Sequence, residues 1–236
     1  MITCSVCNKE NHHLAINCFS CGGYLQNRVD NLDLFLTAWN VLEKPKKAFY
    51  TIAVAKHKNY GLILTAIAGI AFTFFIFWII KAGEYTNSLL NFLAAGFAVG
   101  PLFGILSVSI FSLIVIILSR ITGKKIKYRN VFAITAYAQI PIIISAILIL
   151  PIEIMSFGLF FFTANPSPNQ LKPFSYTMLL GLDGIFLFWT LVLLYIGFKK
   201  MIDCSAWYAL MIEIVALSIY IGIIIGCLQW ILPVIK

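Results

Sequence analysis

The chain has 236 residues, of which 61% are hydrophobic and 11% charged. Soluble domains carry about 25% charged residues, so this composition excludes an ordinary globular protein and indicates a multi-pass membrane protein. The net charge of +8 would suggest nucleic acid in a soluble chain; here the cations gather at span ends, where the positive-inside rule and anionic headgroups account for them.

Residues 1–23 are polar and rich in cysteine, and do not read as a signal peptide. Cys4, Cys7, Cys18 and Cys21 are spaced C-x2-C-x10-C-x2-C. Two such knuckles bring four thiolates to the corners of a tetrahedron, as one structural Zn2+ requires at ~2.3 Å. Two disulfides are the alternative, but they need an oxidising compartment, and the charge pattern below places this segment in the cytoplasm. Asn8 and Gly22 each follow a knuckle, where a left-handed residue turns the backbone around the metal. His12 and His13 fall in the loop between the knuckles, outside a shell that four thiolates complete. So short a ribbon has almost no core and is unfolded without its metal. Lys9 is its one basic residue, so docking of a protein or simple capping of the N-terminus is preferred to nucleic acid.

Residues 24–59 read as a linker followed by amphipathic helices. In NLDLFLTAWNVLEK (31–44), Asp33, Thr37, Asn40 and Lys44 form a narrow polar stripe, and apolar residues fill the remaining circumference. That arc on a segment too short to span predicts an interfacial helix, stopped by Pro45. A second surface helix is expected in 46–60, with Lys46, Lys47, Lys56 and Lys58 around an apolar centre.

Residues 60–236 hold five expected spans, at about 60–80, 101–119, 131–150, 176–198 and 207–234. The run Ser88 to Ser119 would rise ~48 Å as one helix, too long for a ~30 Å core. A break at Gly100-Pro101 is therefore expected, with 88–99 interfacial or re-entrant. Gly96, Gly100 and Gly104 form a double G-x-x-x-G that permits close helix packing. Pro141 is expected to kink the third span. Glu153, just past that span, is read as solvated at the outer interface.

Loop charges alternate. The region before the first span has seven Lys/Arg, and successive connections have one, five, one and two, with Lys236 last. That pattern predicts a cytoplasmic N-terminus and a C-terminus outside or in a lumen, in the plasma membrane if the source is prokaryotic. Five of these cations (Arg120, Lys124, Lys125, Lys127, Arg129) precede the third span.

Intramembrane acids are functional hypotheses by default, and Asp183 and Glu213 are two. Their positions on antiparallel spans separate them vertically by ~11 Å, too far to share a proton. Packing as neutral acids hydrogen-bonded to another helix, or a place close enough to water to stay solvated, is preferred to a proton or cation path. No HExxH, GxSxG, P-loop or GxGxxG occurs, and the three histidines precede the first span, so no enzyme is expected.

From about Trp39 to Trp230 the chain resembles the Yip-domain family (Ypt/Rab-interacting proteins and their prokaryotic relatives). The likeness rests on AWNVLEKPKKAFYTIA, on GKKIKYRNVFAITAYAQIP with its TAYAQIP segment (135–141), and on the five-span layout. It implies a scaffold or adaptor in membrane organisation or trafficking; eukaryotic members of the family interact with small GTPases. The chain lacks the long acidic or Gln/Pro-rich arm many members carry, which puts GTPase binding in doubt. The expected fold is an all-α integral membrane protein: a five-helix bundle with an N-terminal zinc ribbon and interfacial helices. The expected partners are the lipid bilayer, a protein on the cytoplasmic side and a second copy of the chain. The rival reading is a small transporter or channel using Asp183 and Glu213.

Overall fold

The computed structural model describes residues 1–12, 14–26, 29–124 and 126–235. His13, Lys125 and Lys236, named above, lie outside the described residues, as do Asn27 and Arg28. Among the described residues, five helical stretches are long and apolar enough to cross a membrane: Gly61–Ile79, Leu89–Ile121, Tyr128–Phe162, Pro173–Ile202 and Ala206–Trp230. This is an all-α, five-span architecture carrying a small N-terminal ribbon. The chain divides into two compact units: Met1–Tyr60, Phe111–Thr135 and Leu194–Lys236 in the first, Gly61–Ile110 and Ala136–Leu193 in the second.

The first unit begins with β1 (Ile2–Thr3) and β2 (Glu10–Asn11), paired antiparallel with Ile2 opposite Asn11. Helix α1 (Leu34–Glu43) starts where the Asp33 carboxylate accepts from the Leu36 N–H at 2.7 Å, an N-cap that satisfies an orphan donor. Pro45 ends α1 and opens α2 (Pro45–Val54), since proline lacks the N–H that would continue α1 while its fixed φ suits a first helical turn. The two helices use their apolar residues differently. Phe49 and Ile52 of α2 are fully buried, whereas Phe35 and Trp39 of α1 are 83% and 65% exposed. Lys58 donates to the carbonyls of Ile52, Ala53 and Ala55 at 2.5–3.1 Å, so an ammonium closes the last turn of α2. Gly197 lets this core close: a Cβ there would sit 2.5 Å from Ile134 and 3.4 Å from Phe49.

The second unit begins with α3 (Gly61–Ile79) and the start of α4 (Leu89–Ile121). A Cβ on Gly69 would lie 2.2 Å from the Gly100 carbonyl oxygen, and one on Gly104 would lie 2.1 Å from that of Thr65. Gly96 faces the Phe74 ring in the same way, at 2.5 Å. The two backbones are therefore in contact, the arrangement small-residue spacing allows in lipid.

The expected break at Gly100-Pro101 does not occur: α4 is one helix of 33 residues with Pro101 inside it. Breaking a helix in hydrocarbon strands several backbone groups, each at a cost of several kcal/mol, whereas proline removes a single donor. The interruption comes in the third span instead. There α5 (Tyr128–Ala138) and α6 (Ile140–Phe157) are separated at Gln139, which has φ −79° and ψ 1°, two residues before Pro141.

After α6 a 3-10 turn over Gly158–Phe162 folds back, and Phe157, Phe161 and Phe162 join Phe74 and Phe92 in an aromatic core. A short helix, α7 (Pro168–Leu171), opens on a capping box between Ser167 and Gln170. Helices α8 (Pro173–Ile202) and α9 (Ala206–Ile235) complete the chain.

Candidate functional site

The four N-terminal cysteines sit at two copies of one backbone turn. Asn8 N–H bonds to Cys4 C=O and Cys4 N–H to Lys9 C=O; Gly22 N–H bonds to Cys18 C=O and Cys18 N–H to Gly23 C=O. Asn8 and Gly22 carry φ of 57° and 73°, the left-handed geometry that lets each turn close behind its cysteines. The four Sγ atoms lie within 4.8 Å of one another, with Cys4 and Cys21, and Cys7 and Cys18, each 3.5 Å apart. No disulfide joins them. A tetrahedral ion with ~2.3 Å bonds to sulfur needs S···S separations near ~3.8 Å, so the cluster fits a metal ion.

The surrounding groups prepare the sulfurs for that role. Val6 N–H donates to Cys4 Sγ and Ser20 N–H to Cys18 Sγ, both at 3.4 Å, and Asn11 Nδ2 lies 3.5 Å from Cys18 Sγ. Amides of Cys21 and Ser20 hold the Cys18 thiol down to about 6. The Gly23 amide favours the Cys21 thiolate too, but the Cys7 and Cys4 sulfurs push that thiol up to about 12. Four thiolates this close repel one another, and a bound cation is what lets the last one ionise. His12 points its Nδ1 at the Leu14 N–H (3.2 Å) and is outside the cluster.

The ribbon is tied to the first unit. Gln26 donates to Ala15 C=O at 2.8 Å and accepts from the Tyr50 hydroxyl of α2. A cavity between them is lined by Leu14 and Ile16, the end of α2, Lys58, Lys127 and Arg129. Part of the basic run before the third span thus faces the ribbon.

Among the acids of the membrane domain, Glu153 departs from its expected setting. Asp183 accepts a hydrogen bond from Ser145 of α6, and Asp183 and Glu153 line the same cavity. Glu153 is not solvated: α6 continues past Leu150 to Phe157, and Glu153 is 2% exposed. Its Oε1 has no partner among the described residues. The signal for it was periodicity, since Ile142, Ala146, Leu150 and Glu153 recur at helical spacing along one face. Glu213 belongs to the first unit, is 4% exposed, and has an unpartnered Oε2 among the described residues.

The Yip1 domain family model matches residues 39–228. The chain belongs to the Yip1 domain family. The resemblance carried by the AWNVLEKPKKAFYTIA and TAYAQIP segments is thereby borne out, and the match begins at Trp39, within α1. Glu153, Asp183, Glu213 and the three packed glycines of α4 fall inside the Yip1 match, and the cysteine cluster falls outside it. No curated protein and no solved structure matches the chain.

Proposed function

We propose that this Yip1 protein is a non-enzymatic membrane scaffold or adaptor whose N-terminal ribbon is a docking module on the cytoplasmic side. Cys4, Cys7, Cys18 and Cys21 would hold one Zn2+ in that reading. The metal is structural, since four protein ligands leave no open position for a reacting water, and what it supplies is the folding energy of the ribbon. The single observation that carries the proposal is the four-sulfur cluster; α1 adds Phe35, Leu36 and Trp39 as exposed apolar side chains. Exposed aromatics on an N-capped helix suit a bilayer interface or a protein groove. The alternation of Lys/Arg among the loops supports a cytoplasmic N-terminus and an external C-terminus.

A photocrosslinker at Ser5 in living cells tests the docking role. Cytosolic proteins captured by wild type and lost in Cys18→Ser would fit it. Identical capture by both would show that the folded ribbon recognises nothing.

A further inference from the structure

A second site lies inside the second unit. A partly open cavity of about 310 Å³ is lined by α3, α6, α8 and the 158–162 turn. Its walls are aromatic, with Phe72, Phe74, Phe75 and Phe186 among them. The polar side chains on it are Ser145, Glu153 and Asp183, and no basic residue lines it. Lys81 Nζ lies 4.8 Å from the centre of the Trp78 ring but is not a lining residue.

Two carboxyl side chains on the wall of one largely apolar cavity are a setting that favours a cation. The Ser145 hydroxyl satisfies one oxygen of Asp183, and the buried Glu153 Oε1 is left without a partner while its side chain lines the cavity. An unpartnered carboxylate oxygen at that depth is costly unless something fills the space before it.

The chemistry of the walls selects the occupant. Inorganic cations such as Ca2+ need six to eight oxygen ligands, and three oxygen-bearing side chains line this cavity. The volume also far exceeds the ~10–15 Å³ that one water needs. It lies at the lower end of small-molecule pockets, which run from about 300 Å³. Faces of aromatic rings attract an alkylated ammonium, and a carboxylate neutralises it.

We infer that the Glu153–Asp183 cavity is a binding site for an organic ammonium group, either a free amine or the choline-type headgroup of a lipid. The carboxyl pair supplies the counter-charge, Ser145 holds Asp183 in place, and the phenylalanines supply the cage.

The test uses the whole chain in detergent, with choline as probe and 3,3-dimethyl-1-butanol as its uncharged isostere. Choline should raise the melting temperature with a saturating dose dependence, and the isostere should not. Glu153→Gln and Asp183→Asn each should weaken choline at least tenfold, and Phe186→Leu about three- to thirtyfold. Equal responses to both compounds, or none to choline, would overturn the site, as would unaltered choline affinity in both folded carboxyl variants. The two wild-type arms decide the matter even where a variant does not fold. Nanodiscs separate the sources. A choline response present in phosphatidylglycerol and absent in phosphatidylcholine assigns a lipid headgroup, and a response in both assigns a free amine.

Discussion

The ribbon and the α3–α4 contact both hold chain segments together with little help from water, and they do it by opposite chemistry. In the ribbon about twenty residues converge on four sulfurs that repel one another until a cation is bound. Between α3 and α4, Gly69, Gly100 and Gly104 bring two backbones together so closely that dispersion along the seam does the work. One device would be concentrated in a single ion and removable with it. The other is spread over several turns and is removable only by changing the glycines.

The most severe break in that contrast comes from the glycines. Gly104→Leu places atoms where the Thr65 carbonyl oxygen lies 2.1 Å away, and backbone there has nowhere to move. The expected loss is above ~3 kcal/mol, seen as misassembly by size-exclusion chromatography and a large drop in melting temperature. Gly181 has no atom within 4 Å of a built Cβ, so Gly181→Ala should stay within ~0.5 kcal/mol of wild type. Comparable losses in both would mean that the seam is not special.

Chelation should act on the other device alone. With metal removed, residues 1–23 are expected to become quickly cleaved by protease, while circular dichroism of the helices stays the same within error. Melting of the whole bundle on chelation would show that the two regions are not energetically separate.

A smaller effect belongs to Lys58, which closes α2 by hydrogen bonds alone. Lys58→Met leaves three carbonyls unsatisfied and should cost ~1–3 kcal/mol, read from thermal melts.

The smallest effect is the pH response of the same residue. Burial, then Arg129 and Lys127, bring the Lys58 ammonium down to about 8. Its unfolded value is near ~10.4, so the folded chain sheds the proton first. The contribution of Lys58 to stability should therefore rise from pH ~8 to ~10 and be lost again as pH falls through 8. Wild type and Lys58→Met should diverge over that window, and parallel profiles would contradict the assignment.

Much of this was legible in the chain itself. Five apolar runs, a loop charge that alternates, and the TAYAQIP and AWNVLEKPKKAFYTIA segments lead to a five-span Yip1 protein. C-x2-C-x10-C-x2-C spacing leads to the sulfur cluster because each knuckle is a local turn. Local rules failed where the bilayer changes the reference state. Proline at 101 reads as a break in water, yet in hydrocarbon an intact α4 strands fewer groups. Glu153 reads as a loop residue from its distance to Leu150, but α6 runs on and carries it inside. Its meeting with Asp183, thirty residues later, depends on how α6 and α8 pack, and no spacing rule reports that.

The most direct test of the ribbon is a metal count on chain purified without added metal. Mass-spectrometric analysis should find one zinc per chain in wild type and none in Cys18→Ser, with the helices of both intact. A wild-type chain free of zinc, or a full equivalent retained by Cys18→Ser, would contradict the account.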